Sequence, residues 1–193
     1  FIYMNIKKTA NLLLNFAIKR LAEIFGIIIF AVGIILLLAL ITYSPDDPNF
    51  IFPDNTEIKN LFGFRGSFIS DLFFQSVGLI AYLISFTLII TGINIIRVKE
   101  FFLIIENIFF TIIYSLVGTL FLTYFYSRSF FLYINGNGGF IGNYLNQTFL
   151  VNIIQINEDI FYLIIIIIIL VLFLISINFR PKCFLVFFKK ILN

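Results

Sequence analysis

The sequence predicts an all-α integral membrane protein, a four-transmembrane-helix bundle with both termini cytoplasmic. Three observations lead there. Hydrophobic residues make up 61% of the chain and charged residues only 12%, whereas an ordinary soluble domain is about half apolar and about a quarter charged. Four stretches, residues 24–43, 72–96, 108–126 and 160–177, contain no Asp, Glu, Lys or Arg. Each approaches or exceeds the ~20 apolar residues that cross a hydrocarbon core about 30 Å thick. Finally, the basic residues are distributed unevenly over the segments between these stretches.

Residues 1–23 read as a basic amphipathic segment. Lys7, Lys8, Lys19 and Arg20 are set among Leu12, Leu13, Leu14, Phe16, Ile18 and Leu21, a pattern suited to a helix lying against an anionic leaflet. The span 24–43 is too long for a signal-peptide core, and no small-residue cleavage site follows it. It ends at Ser44-Pro45-Asp46-Asp47-Pro48, where two prolines disfavour further helix and an Asp can bond neighbouring backbone. The adjacent carboxylates Asp46 and Asp47 are expected to form a solvated turn, because neighbours in sequence rarely converge on one metal ion without further ligands.

The second and third spans, 72–96 and 108–126, carry small or hydroxyl residues at helical spacing. Gly78, Ala81, Ser85 and Gly92 form one stripe, and Thr111, Ser115, Thr119 and Thr123 another. Helices in lipid gain nothing from hydrophobic exclusion against each other, so such stripes mark close packing. The two are expected to touch. After the third span, Asn135-Gly136-Asn137-Gly138-Gly139 reads as a flexible turn, and 140–156 as an interfacial or partly re-entrant amphipathic helix. The run 164–169 is all isoleucine and would favour a strand in water. Within an uncharged segment of this length it reads as helix, since an exposed strand in lipid leaves backbone groups unpaired.

Orientation follows from the charges. With the N terminus inside, Lys7, Lys8, Lys19, Arg20, Arg97, Lys99, Arg180, Lys182, Lys189 and Lys190 are cytoplasmic, and Lys59, Arg65 and Arg128 face outward. Cytoplasmic flanks hold such an excess of basic residues. Residues 178–193 then form a cytoplasmic basic juxtamembrane segment. The chain opens on Phe1 and stops in that segment, so it is read as part of something longer.

Little chemistry is available. The sequence has no His and one Cys, which excludes histidine acid–base catalysis, disulfides and Cys/His metal clusters. Cys183 reads as a plain juxtamembrane thiol. The glycine run 136–139 lacks both the preceding strand and the Gly-Lys-Ser/Thr ending of a phosphate loop. No catalytic residue, cofactor site or metal site is expected.

One element is distinctive. Lys19-Arg20-Leu21-Ala22-Glu23-Ile24-Phe25-Gly26 leads toward Leu40-Ile41-Thr42-Tyr43-Ser44-Pro45-Asp46-Asp47-Pro48, which resembles the first span of the FtsK/SpoIIIE family of DNA translocases and its Leu-x-Thr-Tyr-Ser-Pro-x-Asp-Pro motif. The likeness continues through Asn60, Gly63, Gly66, Ser70-Asp71-Leu72-Phe73 and Gly78-Leu79-Ile80-Ala81-Tyr82, then through Gly138-Gly139-Phe140-Ile141-Gly142 and Leu145. It covers about residues 19–177. One departure is that Asn49 and Phe50 follow Pro48, where relatives often carry Trp.

The resemblance implies a four-span domain with both ends inside, anchoring a translocase at the division septum of the bacterial inner membrane. There it would support divisome assembly and tether a cytoplasmic ATP-driven motor for chromosome segregation, a motor these residues do not encode. The implied partners are membrane lipid and other division-site membrane proteins, with homo-oligomers formed through the full-length protein and no direct nucleic-acid contact. The alternative class is a small transporter or channel subunit. The uncharged spans and the lack of an evident internal repeat argue against it.

Overall fold

The computed structural model describes residues 2–48, 57–127, 132 and 134–179, with side chains from residue 11 onward. Arg128, Cys183 and the basic residues of 180–193 lie outside the described residues, as do the side chains of Lys7 and Lys8. Seven helices and no strand occur among the described residues: α1 (Ile2–Ile41), α2 (Gly63–Val77), α3 (Ile80–Val98), α4 (Phe102–Phe125), α5 (Gly139–Asn146), α6 (Leu150–Ile154) and α7 (Glu158–Ser176). Four of them carry segments long and apolar enough to cross a membrane: Asn11–Ile41, Ile80–Val98, Phe102–Phe125 and Glu158–Ser176. The expected all-α, four-span fold is present.

The boundaries differ from expectation in instructive ways. The segment before residue 24 and the first span form one helix of 40 residues, about 60 Å long at ~1.5 Å per residue. The expected span 72–96 is broken. Gly78, at φ +60°, closes α2 with its N–H on the Phe74 carbonyl, and the next N–H, of Leu79, donates to the Asn137 carbonyl instead of a helical partner. The second crossing therefore starts at Ile80, and residues 72–77 belong to α2. The third begins earlier than predicted, at Phe102, so Glu106 falls within its first turns. At the start of α7 the Asn157 side chain accepts from the Ile160 N–H at 3.2 Å, with Glu158 and Asp159 in the first turn. That is the capping and charge placement a helix N-terminus favours.

The crossing helices pack in a row, α1 on α3, α3 on α4, and α4 on α7. Where α1 meets α3 the backbones approach closely: a Cβ at Gly33 would clash with Ile89, and one at Gly92 with Phe30 and the Gly26 carbonyl. Between α3 and α4 the contact is polar. The Thr87 and Tyr114 hydroxyls lie 2.9 Å apart, and Asn107 Nδ2 donates to Thr91 Oγ1 at 2.8 Å. Between α4 and α7 it is apolar, built on Leu120, Phe121 and Ile165, with Ile154 of α6 closing the cluster.

The two small-residue stripes are both buried in part, and several of their members face helices other than each other's. Ala81 joins Leu36 and Leu40 of α1, Gly92 faces α1 as well, and Ser85 turns its hydroxyl back onto the Tyr82 carbonyl. On α4, Thr111 bonds the Asn107 carbonyl, while Thr119 and Thr123 lie against Gly138 and Gly142 at the start of α5. Ser115 is buried on the same helix. Helical spacing fixes which residues share a face; which neighbour covers that face depends on chain order and loops.

At the end of the row where α3 finishes, Glu23 receives both Arg20 and Lys99, each at 2.5 Å, tying α1 to the C-cap of α3. There too Asn94 Nδ2 donates to the Ile177 carbonyl at 2.9 Å, joining α3 to the end of α7.

Candidate functional site

The residues singled out by motif gather at the opposite end, where α2 and α5 cover the row. Thr42 closes α1: its hydroxyl donates to the Leu38 carbonyl at 2.8 Å and accepts from the Leu61 N–H at 3.2 Å. Tyr43 reaches across to α2, donating to Asp71 Oδ1 at 3.1 Å with its ring 4.8 Å from that of Phe74. Asp71 also accepts from Gln75 at 3.3 Å. Ser44 and Pro45 make the turn, with the Ser44 carbonyl accepting from the Asp47 N–H and its hydroxyl from the Asp46 N–H.

Asp47 corrects the expectation of a solvated pair. It is only 1% exposed, and its two carboxylate oxygens accept the backbone N–H groups of Lys59 at 2.8 Å and Asn60 at 2.9 Å. Asp46 behaves as predicted, exposed and paired with Lys59 at 3.2 Å. The Pro48 carbonyl accepts from the Ser67 hydroxyl at 2.9 Å. Asn60 completes the fastening by donating to the Ala39 carbonyl inside α1 at 2.9 Å and accepting from the Phe62 N–H at 3.1 Å. The motif thus stitches the last turn of α1 to the start of α2. Buried backbone and side-chain polar groups need such partners.

The glycines serve the same end. Gly63 opens α2 at φ +61° with open space around it, and Gly66 lies against Asn60 and Phe62. Gly78 and Gly139 are the crossing point of the cap. Both have positive φ, and a Cβ on the first would strike the Asn137 carbonyl, on the second the Ser76–Gly78 backbone. Around them Asn135 donates to Gln75 Oε1 at 2.9 Å, Asn137 to the Tyr126 carbonyl at 2.7 Å, and Asn143 to the Asn135 carbonyl at 3.0 Å.

Sequence reasoning missed the roles of several of these parts. Asn60, Asn135 and Asn137 hold the cap, Asn107 and Tyr114 hold α3 to α4, and Gly26 and Gly33 admit α3 against α1. Only the last pair had a usable signal, two glycines seven positions apart on one helix face. The carboxylates of the cap, Asp47 and Asp71, are taken up by structural bonds. Among the described residues no three His, Cys, Asp or Glu side chains converge as metal ligands would.

A row of four apolar crossing helices, closed at one end by two short helices and a buried polar fastener, defines a multi-pass membrane domain. A family model described as the 4TM region of DNA translocase FtsK/SpoIIIE matches residues 18–190, and the chain belongs to that family. Curated relatives named DNA translocase FtsK include those of Azospirillum brasilense, 36% identical over 72 residues, and Caulobacter vibrioides, 38% identical over 73. A third, from Rickettsia typhi, is 31% identical over 72 residues. These matches cover 36–38% of this chain and 9–11% of each relative, so the matched segment spans only about a tenth of the relatives' length. No solved structure matches it.

Proposed function

We propose that this domain is the membrane anchor of an FtsK-like DNA translocase, holding it in the bacterial inner membrane at the division septum. In this reading both termini are cytoplasmic, and a cytoplasmic ATP-driven motor, encoded outside these residues, is tethered to the domain for chromosome segregation. The supporting observation is that the family match over residues 18–190 takes in all four crossing helices together with the cap that fastens them. Orientation rests on the basic residues, with Lys19, Arg20, Arg97 and Lys99 at one end of the row against Lys59 and Arg65 at the other.

The domain acts by packing in lipid and by contact with other division-site membrane proteins, and homo-oligomers form through the full-length protein. It takes no cofactor and makes no direct contact with nucleic acid. The test is a fluorescent fusion in dividing cells combined with a two-hybrid screen against membrane division proteins. A septal focus and at least one division partner are expected. An even membrane signal with no interaction would overturn the septal role.

A further inference from the structure

Up to Leu72, before its buried Phe74 and Val77, the helix α2 is amphipathic the wrong way round for water. Its buried face carries Ser67, Ser70 and Asp71, at 1%, 0% and 6% exposure, whereas Phe64, Ile69 and Leu72 stand outward at 46%, 38% and 54%. The polar side is satisfied from within, by the Pro48 carbonyl, the Ser67 carbonyl and the Tyr43 hydroxyl. A helix at an aqueous surface shows the opposite pattern.

The second half of the cap repeats the theme. No Asp, Glu, Lys or Arg occurs between residues 132 and 157, while Phe140, Tyr144 and Phe149 are 63%, 65% and 70% exposed.

Depth supplies the independent argument. The α2 residues Phe74 and Val77 pack with Leu36 and Leu40 of α1, inside the crossing segment Asn11–Ile41. Neighbouring Ile35 and Ile41 of that segment are outward-facing. Likewise α5 begins beside Thr119 and Thr123, short of the end of α4 at Phe125. Lipid that covers Ile35 and Ile41 is therefore level with α2 and continuous with its apolar face.

We infer that α2 and α5 are immersed in the bilayer interface as a lipid-contacting collar, with Phe64, Ile69, Leu72, Phe140 and Tyr144 against acyl chains. Arg65, on the outward side of α2, extends its head toward the phosphate level as long basic side chains do at interfaces. The interfacial placement expected for 140–156 thus extends to α2, which a linear reading leaves in an external loop and an apolar span. Water reaches the charged edge marked by Asp46 and Lys59. The inference is independent of whether the domain anchors a translocase.

The chain has no Trp, so single probes read this directly. Leu72→Trp and Tyr144→Trp are placed one at a time in the reconstituted chain, with Glu57→Trp as the water-facing reference. Emission is then compared in bilayers of ordinary and chain-brominated phosphatidylcholine, and with iodide added. Probes at 72 and 144 are expected to emit to the blue of the reference, to lose most of their intensity to bromine and to ignore iodide. Iodide quenching with red-shifted emission at either position overturns the collar for that helix, and blue emission that neither bromine nor iodide quenches overturns it as well, since protein then covers the face. Both positions are outward-facing, and retention of the wild-type elution profile and helical circular dichroism confirms that the fold is intact.

Discussion

Replacing Asp47 with alanine leaves two backbone donors, those of Lys59 and Asn60, without acceptors beneath the cap. A buried donor stripped of its partner costs roughly 1–3 kcal/mol, so with two donors affected Asp47→Ala is expected to destabilise the protein by about 2–6 kcal/mol. Thermal unfolding of the purified protein in detergent would read this as a lowered midpoint, and a change within the ~0.5 kcal/mol typical of surface positions would contradict the fastening role. Two glycines provide a second test with a built-in control. Gly63 and Gly78 share a φ near +60°, but only Gly78 faces a carbonyl where a Cβ would stand. Gly63→Ala should therefore cost only the left-handed backbone penalty of about 1–2 kcal/mol. Gly78→Ala should cost clearly more in the same assay, and equal losses would refute the crossing-point geometry. The sequence made these positions visible through the motif but not their roles. A carboxylate beside a second carboxylate looks solvated until the chain twelve residues further on is seen to fold back over it.

At the level of the helices, lipid as solvent makes length and lack of charge sufficient to place the crossings, which is why four were legible in advance. The break at Gly78 was not, because it depends on the Asn137 carbonyl brought in from a distant loop; locally, 72–96 is a continuous apolar run. Contact between α3 and α4 rests on hydrogen bonds inside the membrane. Such pairs measure about 0.6 kcal/mol on average, so a double-mutant cycle of Thr87→Val with Tyr114→Phe should give a coupling of that order. By contrast, Gly33→Leu forces α1 from α3 and should lower the unfolding midpoint strongly, while Leu170→Ala, on the outward face of α7, should leave it nearly unchanged. Similar effects from these two substitutions would mean that α1 and α3 are not in close contact.

For the whole molecule, the row α1–α3–α4–α7 could not be read from the chain, since periodicity identifies faces without naming their neighbours. The two stripes on the second and third spans illustrate this: Ala81 and Gly92 meet α1, while Thr119 and Thr123 meet the start of α5. Sidedness is a separate question, decided by charge and open to direct measurement. With Cys183 replaced by serine, a cysteine at Glu57 is expected to react with an impermeant maleimide from outside intact spheroplasts, and one at Glu100 only after lysis. The reverse pattern would invert the proposed orientation. One further consequence lies in α1. It passes unbroken from about 30 Å beyond the Glu23–Lys99 tie to the turn at Thr42 and Tyr43. A sideways pull on its first turns is met at that tie and along the close seam with α3 at Gly26 and Gly33, so the load is spent before it reaches the joint formed by Tyr43 and Asp71.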